Sequence, residues 1–371
     1  MKNNEIKGNV FLYRRIRTHL ERLMRQGVLK AEEKIPGERA LSQQLDVSRD
    51  TVRAALRELE EQGYLVRIPA RGTFIRRSAI QREFKIAFVF PEPEISLIYQ
   101  SYGNYASNSE IWRGIVGKCA ELGGTVSFFT ARPHLSGAAA QELADALMRD
   151  YSGAIFPSAE FDRVAEHLDE KGFPCVLTTM HPKCSHVFYD RELAVKMAAG
   201  HLLDNGCRTV LLLGNPGESY NQKIAVFRRE FASRGLTIPD SDVVTLTDNR
   251  EKLFHNVERV FSARAELPDA VFCATPIISF PLLHLAASLR WEVPGRIKLM
   301  GYANNAEQQC TIPELTHIRL PHAAIGATAA ALIAARIRGG APLPHQTLLA
   351  PELVQGETTS SIPDGRAAMQ S

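Results

Sequence analysis

The sequence has no long apolar run and no paired cysteines, and both absences narrow what the chain can be. No stretch approaches the roughly 20 apolar residues that a membrane-spanning helix needs. The opening run MKNNEIKGNVFLYRR lacks the apolar core and small-residue cleavage site of a secretory signal, so we expect a cytoplasmic protein with no membrane partner. The six cysteines stand singly, without the spacing of a disulfide framework or a zinc module.

The motifs of common enzyme and cofactor sites are missing as well. The sequence contains no Gly-x-Ser-x-Gly nucleophile elbow and no paired-carboxylate motif. The run Gly214-Asn215-Pro216-Gly217 follows a predicted strand, but it lacks the lysine of a phosphate-binding loop and the glycine spacing of a dinucleotide site. The histidines show no metal-ligand spacing. We therefore predict a protein that is not an enzyme and that binds neither a metal ion nor a cofactor.

Charge is distributed unevenly along the chain. Residues 1–80 hold 17 Lys and Arg against 10 Asp and Glu, a balance of +7, which leaves −4 on the rest of a chain whose net charge is +3. A basic head on a mildly acidic body suggests that the head meets a polyanion. At 371 residues, the chain is also long enough for two or three domains.

Within the basic head, apolar spacing and turn residues predict three helices followed by a β-hairpin. The predicted helices span 10–24, 38–45 and 49–62, and the predicted strands span 64–68 and 73–75. A Pro36-Gly37 turn precedes the second helix. Ser48 is a natural N-cap for the third helix, and Gly63 is suited to end it. The hairpin, with Gly72 beside its tip, is typical of a wing.

The third helix offers a face that could read DNA. Arg49 and Arg53 are four residues apart, so they project from one side of the helix, opposite the apolar Val52 and Leu56. An arginine can form a bidentate contact with guanine or bind a phosphate, and the helix N-terminus also favours a phosphate. With nearby hydroxyls, an arginine of the preceding helix and one at the wing tip, the predicted DNA contacts are Arg39, Ser48, Arg49, Thr51, Arg53 and Arg71.

The run IPGERALSQQLDVSRDTVRAALRELEEQGYLVRIPARGTFI resembles the DNA-binding domain of the GntR family of bacterial regulators. The resemblance covers residues 10–76 and includes Pro36-x-Glu38-Arg39, Val47-Ser48-Arg49-x-Thr51-Val52-Arg53, Leu56-x-x-Leu59 and Gly72-Thr73-Phe74. Gly37 departs from it, because the family usually has serine or alanine there. The resemblance implies a winged helix-turn-helix that contacts DNA through the same residues of the two helices and, in addition, through Gly72.

From Lys85 onward, short apolar runs alternate with amphipathic helices. The runs lie at 86–90, 125–129, 154–156, 175–179, 209–214, 243–246, 270–274 and 297–302. The helices are predicted over 110–122, 139–149, 191–205, 222–234, 251–263 and 279–290. This alternation is typical of parallel sheets covered on both faces, and its length suits an α/β body of two doubly wound lobes. The predicted domains are a head over 1–77, a linker over 78–84, the body over 85–362 and a loose tail over 363–371.

Several stretches of the body resemble the effector domain of LacI-family repressors, which is similar to periplasmic sugar-binding proteins. They are Ala199-Gly200-His201-Leu202-Leu203, Lys223-Ile224-Ala225-Val226-Phe227, Leu299-Met300-Gly301-Tyr302 and Pro313-Glu314-Leu315-Thr316-His317. The resemblance covers residues 85–360 and implies a periplasmic-binding-protein-like domain with a small-molecule cleft between its lobes. The chain departs from the family at Thr275, Ala303 and Leu320, where many members have polar residues, and at Lys223, where the family has arginine.

In two-lobed α/β proteins, ligands bind near the carboxyl ends of the parallel strands. Polar residues at such positions are the candidates for the effector site: Ser158, Glu160, Thr179, Tyr220, Lys223 and Asn304. Glu160 fits a helix start equally well. Trp112 could stack on a ligand ring, but its spacing with Ile111 and Ile115 fits a core position better.

Together, these patterns predict a ligand-responsive transcriptional regulator. The main hypothesis is a repressor that binds a palindromic operator as a homodimer and senses a small metabolite, a sugar or a related compound. The missing carboxylates favour an alternative, in which the body is a dimerisation or protein-interaction scaffold without a free metabolite. An enzyme fused to the head, such as an aminotransferase, would need a Schiff-base lysine in a pattern that the sequence lacks. The ligand, the operator and the direction of the response stay open.

Overall fold

The computed structural model describes residues 16, 17, 19, 20, 23, 29, 30, 32–61, 64–76, 84–92, 102–246, 250–303 and 311–360, with the backbone alone described at 102–106, 250 and 251. Asn304, Cys310, residues 77–83 of the head and linker, and the predicted tail lie outside these residues.

The head contains the predicted helices and hairpin. Its elements are α1 (Glu38–Leu45), α2 (Arg49–Glu61), β1 (Leu65–Ile68) and β2 (Gly72–Ile75). The five described residues between 16 and 23 are helical, in agreement with the predicted first helix. Ser48 begins α2 as expected, because its Oγ accepts a hydrogen bond from the Thr51 amide at 3.2 Å. The buried Val52, Leu59 and Leu65 form a small core beneath α2.

The first lobe of the body is a six-stranded parallel sheet in the order β13-β7-β6-β5-β3-β4. Its strands are β3 (Lys85–Pro91), β4 (Thr125–Ala131), β5 (Gly153–Phe156), β6 (Cys175–Leu177), β7 (His186–Tyr189) and β13 (Gln346–Leu349). Its helices are α3 (Tyr102–Glu121), α4 (Gly137–Asp150), α5 (Asp162–Glu170) and α10 (His322–Ile337). Helices α3 and α10 pack against each other on one face of the sheet, and α4 and α5 cover the other face.

The second lobe is a six-stranded sheet in the order β14-β12-β11-β10-β8-β9, in which β14 alone is antiparallel to its neighbour. Its strands are β8 (Val210–Gly214), β9 (Val243–Thr245), β10 (Ala270–Cys273), β11 (Lys298–Ala303), β12 (Thr316–Arg319) and β14 (Glu352–Val354). Its helices are α6 (Arg191–Asp204), α7 (Glu218–Ser233), α8 (Arg250–Ser262) and α9 (Pro276–Ser288). The predicted α/β class and the two doubly wound lobes are confirmed.

The chain passes between the lobes three times, at 189–190, 319–322 and 349–352. One apolar cluster continues through both lobes, from Phe88 and Ile333 in the first to Phe227 and Phe272 in the second. The lobes are therefore joined both covalently and by packing, which makes the three crossings a natural hinge.

The structure also contains elements that the sequence pattern did not indicate. They are α5, α10, β7, β12, β13 and β14, of which all but α5 adjoin a crossing. The four strands are short and carry few consecutive apolar residues, as in THIR and ELV, so their apolar signal is weak. Phe84, the last residue of the predicted linker, is buried beside Gly124 in the core of the first lobe.

Candidate DNA-binding face and effector cleft

The exposed face of α2 carries the two predicted reading arginines in different environments. Arg53 donates to the Glu38 carboxylate at 3.0 Å and to the Asp50 carboxylate at 2.9 Å. Arg49 is exposed, and it makes no ion pair with any residue that the structure describes. The predicted Arg39 is exposed at the start of α1. The head thus presents one unpaired and one paired arginine at the N-terminal turn of α2.

The two predicted hydroxyls at this turn are not equivalent. Ser48 is exposed, whereas Thr51 is only 4% exposed, and their hydroxyl oxygens lie 2.7 Å apart. Thr51 therefore orients Ser48 and the start of the helix from within the head, and Ser48 is the hydroxyl at the surface.

The wing has the shape that a backbone contact with DNA would require. Gly72 has φ of +116°, a conformation that favours glycine, and Arg71 is exposed beside it with its guanidinium 6.0 Å from the centre of the Phe74 ring. A Cβ at Gly72 would lie 2.6 Å from the Lys34 side chain. Lys34 is an additional exposed cation under the wing. Its place near DNA could not be predicted from the sequence, because it lies before the predicted second helix.

At the carboxyl edge of the first sheet, Ser158 and Glu160 follow β5, and the half-buried Thr179 follows β6. The Ser158 hydroxyl accepts from the Glu160 amide at 3.2 Å and caps the single turn Ala159–Phe161, so Glu160 lies at a helix start, as its alternative interpretation predicts. The Glu160 carboxylate lies 3.8 Å from His134, and its Oε2 is buried without a hydrogen-bond partner in the described part of the chain. Glu160 keeps one acceptor that a ligand could use.

Tyr220 and Lys223 are both buried on one side of α7, but they point to different surroundings. The Tyr220 hydroxyl donates to the carbonyls of Leu212 at 2.7 Å and Val244 at 3.1 Å. The ring also packs on Gly214, where a Cβ would lie 2.5 Å from it. Both hydrogen bonds lie within the second lobe, and they give Tyr220 a structural role there.

Lys223 reaches the carboxyl end of β10. Its Nζ donates to the Ala274 carbonyl at 2.8 Å and lies 4.7 Å from the centre of the Tyr302 ring. Burial, with a smaller contribution from Arg191, lowers the pKa of Lys223 to about 7. Lys223 forms no ion pair with a carboxylate among the described residues. At neutral pH, the Lys223 amine is therefore divided between its neutral and its charged form, and it has no carboxylate partner among the described residues.

Three further polar groups, near the strand ends and one of the crossings, were not predicted from the sequence to belong to the effector site. Thr275 Oγ1, Tyr302 Oη and His322 Nδ1 are buried and have no hydrogen-bond partner in the ranges that the structure covers. Thr275 follows β10, Tyr302 lies in β11 and His322 begins α10 directly after the second crossing. The positions of Thr275 and Tyr302, after and within predicted strands, were a usable signal, but Thr275 was noted only for the polar residue that it replaces. Buried polar groups without partners are uncommon, so each of these three atoms is available to a ligand or a bound water.

A cavity of about 630 Å³ opens beside the first crossing. Met180 and Leu348 line it from the first lobe, and Arg191 and Gln222 line it from the second, so it spans both lobes. Trp112 does not take part in either site. It packs between Phe88 and Phe128, at 5.6 and 5.1 Å between ring centres, which confirms the core interpretation.

The described residues contain no group of three or more His, Cys, Asp or Glu side chains placed to hold a metal ion. None of the helices found in those residues is long and apolar enough to span a bilayer.

The comparisons with known proteins agree with this two-part architecture. The arabinose metabolism transcriptional repressor of Halalkalibacterium halodurans is 24% identical over 334 residues, which covers 86% of this chain and 88% of the relative. The HTH-type transcriptional repressor PurR of Escherichia coli is 25% identical over 169 residues, or 45% of this chain and 49% of the relative. The solved complex of the transcriptional regulator CelR with cellobiose has the same fold, with a TM-score of 0.60 at 20% identity, over 87% of this chain and 100% of that chain.

Two family descriptions match separate parts of the sequence. Bacterial regulatory proteins of the gntR family match residues 12–75, which include α1, α2 and the wing. The periplasmic binding protein-like domain matches residues 199–359, which include most of the second lobe and the returning crossings. The chain therefore joins a segment that matches the gntR-family description to a segment that matches the periplasmic binding protein-like domain.

Proposed function

We propose that this protein is a transcriptional repressor that binds operator DNA through its head and changes its affinity when a small metabolite enters the cleft between the lobes. The observation that carries the proposal is the joining of an exposed, cationic recognition helix to a hinged body whose strand ends hold buried polar groups without partners. The relatives named as the arabinose and PurR repressors support repression as the regulatory effect. We place the protein in the cytoplasm, because operator DNA lies there.

In the DNA-bound state, α2 lies in the major groove, with Arg49 and Ser48 at base edges or phosphates and Arg53 beside them. Arg39 and Arg71 contact the backbone from either side, and Gly72 lets the wing approach closely. These contacts divide into specifying ones by Ser48 and Arg49 and positioning ones by Arg53, Arg39, Arg71 and the wing backbone. Loss of Arg39 is therefore expected to weaken binding to all sequences and to reduce its salt dependence.

A palindromic operator requires two heads, and the body has a surface suited to dimerisation. Val116 on α3, Phe128 on β4 and Phe280 on α9 are 39%, 52% and 40% exposed. Helix α9 of the second lobe contacts α3 of the first, so these apolar side chains belong to adjoining surfaces of the two lobes. Exposed apolar patches of this kind mark protein interfaces, and a second copy of the chain is the partner that a palindrome needs.

The response to ligand follows from the three crossings. A ligand that contacts both lobes favours one arrangement of the hinge, and the dimer transmits that arrangement to the spacing of the heads. Differential binding of a few kcal/mol, on the order of 1–3, is enough to change operator affinity 5- to 150-fold. On the ligand side, Ser158, Glu160, Thr179 and Asn304 remain candidates alongside Lys223.

The proposal is tested by selecting DNA sequences that bind the full chain, and then measuring operator affinity in the presence of individual metabolites. We expect a palindromic consensus and at least one compound that both raises the melting temperature and shifts operator affinity. If the protein selects DNA but no metabolite changes either quantity, the body acts as a scaffold for dimerisation or for another protein. Failure to select any sequence would contradict the function of the head itself.

A further inference from the structure

Two basic side chains at the hinge, the buried Lys223 and the half-buried Arg191, form no ion pair with a described carboxylate. Among the described residues, Lys223 Nζ contacts the Ala274 carbonyl and the Tyr302 ring as neighbours of opposite polarity. Arg191, which acts on Lys223 electrostatically, donates to the Gln222 side chain and stacks 5.6 Å from the Phe188 ring centre. Its Nε is buried without a partner among the described residues.

The carboxylates next to Arg191 in the sequence are engaged elsewhere. Asp190 accepts from the Leu193 amide at 2.9 Å as the N-cap of α6. Glu192 pairs with Lys196 at 2.9 Å and with Arg229 at 2.8 Å. Both carboxylates line the cavity beside Arg191, but neither one forms an ion pair with Arg191 or Lys223 among the described residues.

Two hydroxyls near Lys223 that have no partner among the described residues can donate hydrogen bonds. Thr275 Oγ1 follows directly after the carbonyl that Lys223 binds, and Tyr302 Oη belongs to the residue whose ring Lys223 contacts. A bound anion would favour the charged form of the Lys223 amine, and the hydroxyls of Thr275 and Tyr302 can donate to the same ligand. The site therefore suits a group with negative charge and several acceptor oxygens.

We propose that the effector is an anion whose carboxylate or phosphate group is bound by Lys223 and Arg191, with Thr275 and Tyr302 as further donors. The inference rests on the proposed function, because it names the chemical class of the molecule that the cleft senses. Glu160, at the strand ends of the opposite lobe, keeps one free acceptor oxygen for a hydroxyl of the same ligand. A small polyhydroxylated acid or a sugar phosphate has both kinds of group.

The first test uses the full chain and two minimal anions, inorganic phosphate and acetate, at constant ionic strength. Because the head also carries cations, the measured quantity is the difference in melting-temperature shift between the natural chain and Lys223→Met. We expect phosphate, acetate or both to raise the melting temperature by roughly 2 °C more in the natural chain. Lys252→Met, which removes an exposed lysine of α8, serves as the control and should keep the full shift.

The two anions distinguish the two sources of negative charge. A selective shift with phosphate assigns the site to a phosphorylated ligand, and one with acetate assigns it to a carboxylic acid. Arg191→Gln, at the half-buried first residue of α6, should lose the same shift and replaces Lys223→Met if that variant does not fold. Equal melting-temperature shifts in the natural chain and in both variants would overturn the anion site. This comparison holds even if the head also binds anions, because the substitutions leave the head unchanged.

The second test compares metabolites in matched pairs: D-gluconate and D-glucose 6-phosphate beside D-glucose, and L-arabinonate beside L-arabinose. We expect an acid or a phosphate to alter operator affinity. Lys223→Met should lower the affinity of the protein for that ligand about 10- to 100-fold. If only neutral sugars act, the anion proposal is wrong while the regulator stands. If none of the compounds alters operator affinity but the anion shift depends on Lys223, the anion site stands and metabolite control by these sugars fails.

Discussion

The guanidinium of Arg53 is held by Glu38, which accepts from its Nε at 3.1 Å and from its Nη2 at 3.0 Å. The two residues belong to different helices, so this pair fixes α2 against α1 and fixes the direction of the Arg53 side chain. Arg49, one turn earlier on the same face, pairs with no carboxylate in the described head. The two arginines that look equivalent in the sequence are therefore expected to contribute to DNA binding in different ways.

Arg49→Ala should weaken binding to the selected operator roughly 10- to 100-fold, because one specifying contact of about 1–3 kcal/mol is lost. The melting temperature should not change, since Arg49 has no partner in the described residues. Fluorescence anisotropy with operator and with unrelated DNA measures both affinities. Arg149→Ala, at an exposed position on α4, removes the same charge from the body and should have no effect.

Arg53→Ala should weaken binding to operator and unrelated DNA alike, and more strongly than Arg49→Ala. Without Arg53, the carboxylates of Glu38 and Asp50 face the DNA phosphates with no cation between them. The salt dependence of binding should fall as well. Unchanged operator affinity in both arginine variants would show that α2 is not the reading helix.

The head could be predicted closely because its signals are local. Ser48 caps α2, and the stripe of Val52, Leu56 and Leu59 is buried where the spacing placed it. The pairing of Arg53 with Glu38 could not be predicted, because it joins residues 15 positions apart across two helices. Residue spacing identifies the face of a helix, but it does not identify which partner from another element meets that face.

The effector site was predicted less well for the same reason. Tyr220 and Lys223 stand three residues apart on α7, and both qualified as polar residues near a strand end. Only the folded lobe shows that Tyr220 bonds to carbonyls of its own sheet whereas Lys223 reaches Ala274. His322 gave no signal at all, because it follows a strand that the sequence pattern did not indicate.

Gly326→Ala should destabilise the protein, although alanine is the better helix former. A Cβ at Gly326 of α10 would lie 2.0 Å from the Ile111 carbonyl oxygen of α3, so the two helices touch backbone to backbone. Overpacking typically costs about 1–3 kcal/mol, which exceeds the roughly 0.5–1 kcal/mol that alanine contributes to a helix. Urea unfolding measures the net change.

Gly200→Ala is the matched control for that substitution. Gly200 also lies within a helix, α6, but a Cβ there would meet nothing within 4 Å. The free energy of unfolding should therefore rise by roughly 0.5–1 kcal/mol. If both alanine variants gained stability, the close contact between α3 and α10 would not exist in solution.

Phe128→Glu should dissociate the proposed dimer. The Phe128 ring is 52% exposed on the edge strand β4 and contacts Trp112, so a charge there disrupts an aromatic surface at the centre of the patch. We expect the dimer dissociation constant to rise about 10- to 100-fold, since a buried aromatic anchor contributes roughly 2 kcal/mol or more. Analytical ultracentrifugation measures it, and affinity for a full palindrome should fall while affinity for a half-site stays.

Leu348→Glu provides the control for an added charge. Leu348 is 43% exposed on β13, the opposite edge of the same sheet. Both substitutions place a glutamate at an exposed apolar position of an edge strand, but they lie on different surfaces. The Leu348 variant should remain dimeric. A dimer that survives Phe128→Glu would place the subunit interface elsewhere.

His322 should make the body sensitive to acid. Burial lowers the pKa of His322 to about 4, well below the value of about 6.5 for an unfolded chain. Because the folded pKa is the lower one, the unfolded state takes up a proton first as the pH falls. The stability that the neutral ring allows is fully present above pH 6.5 and is lost progressively between pH 6.5 and 4, by about 3 kcal/mol in total.

His322→Phe removes this titration while keeping an aromatic ring beside the second crossing. Its free energy of unfolding, measured in urea from pH 7.5 to 4, should therefore decline less steeply than that of the natural chain. His255→Phe is the control, because the His255 side chain is 77% exposed on α8 and should not alter the slope. Parallel curves for the natural chain and His322→Phe would mean that the His322 ring is solvated in the folded protein, and the hinge would then be more open at this crossing than the packing of α10 indicates.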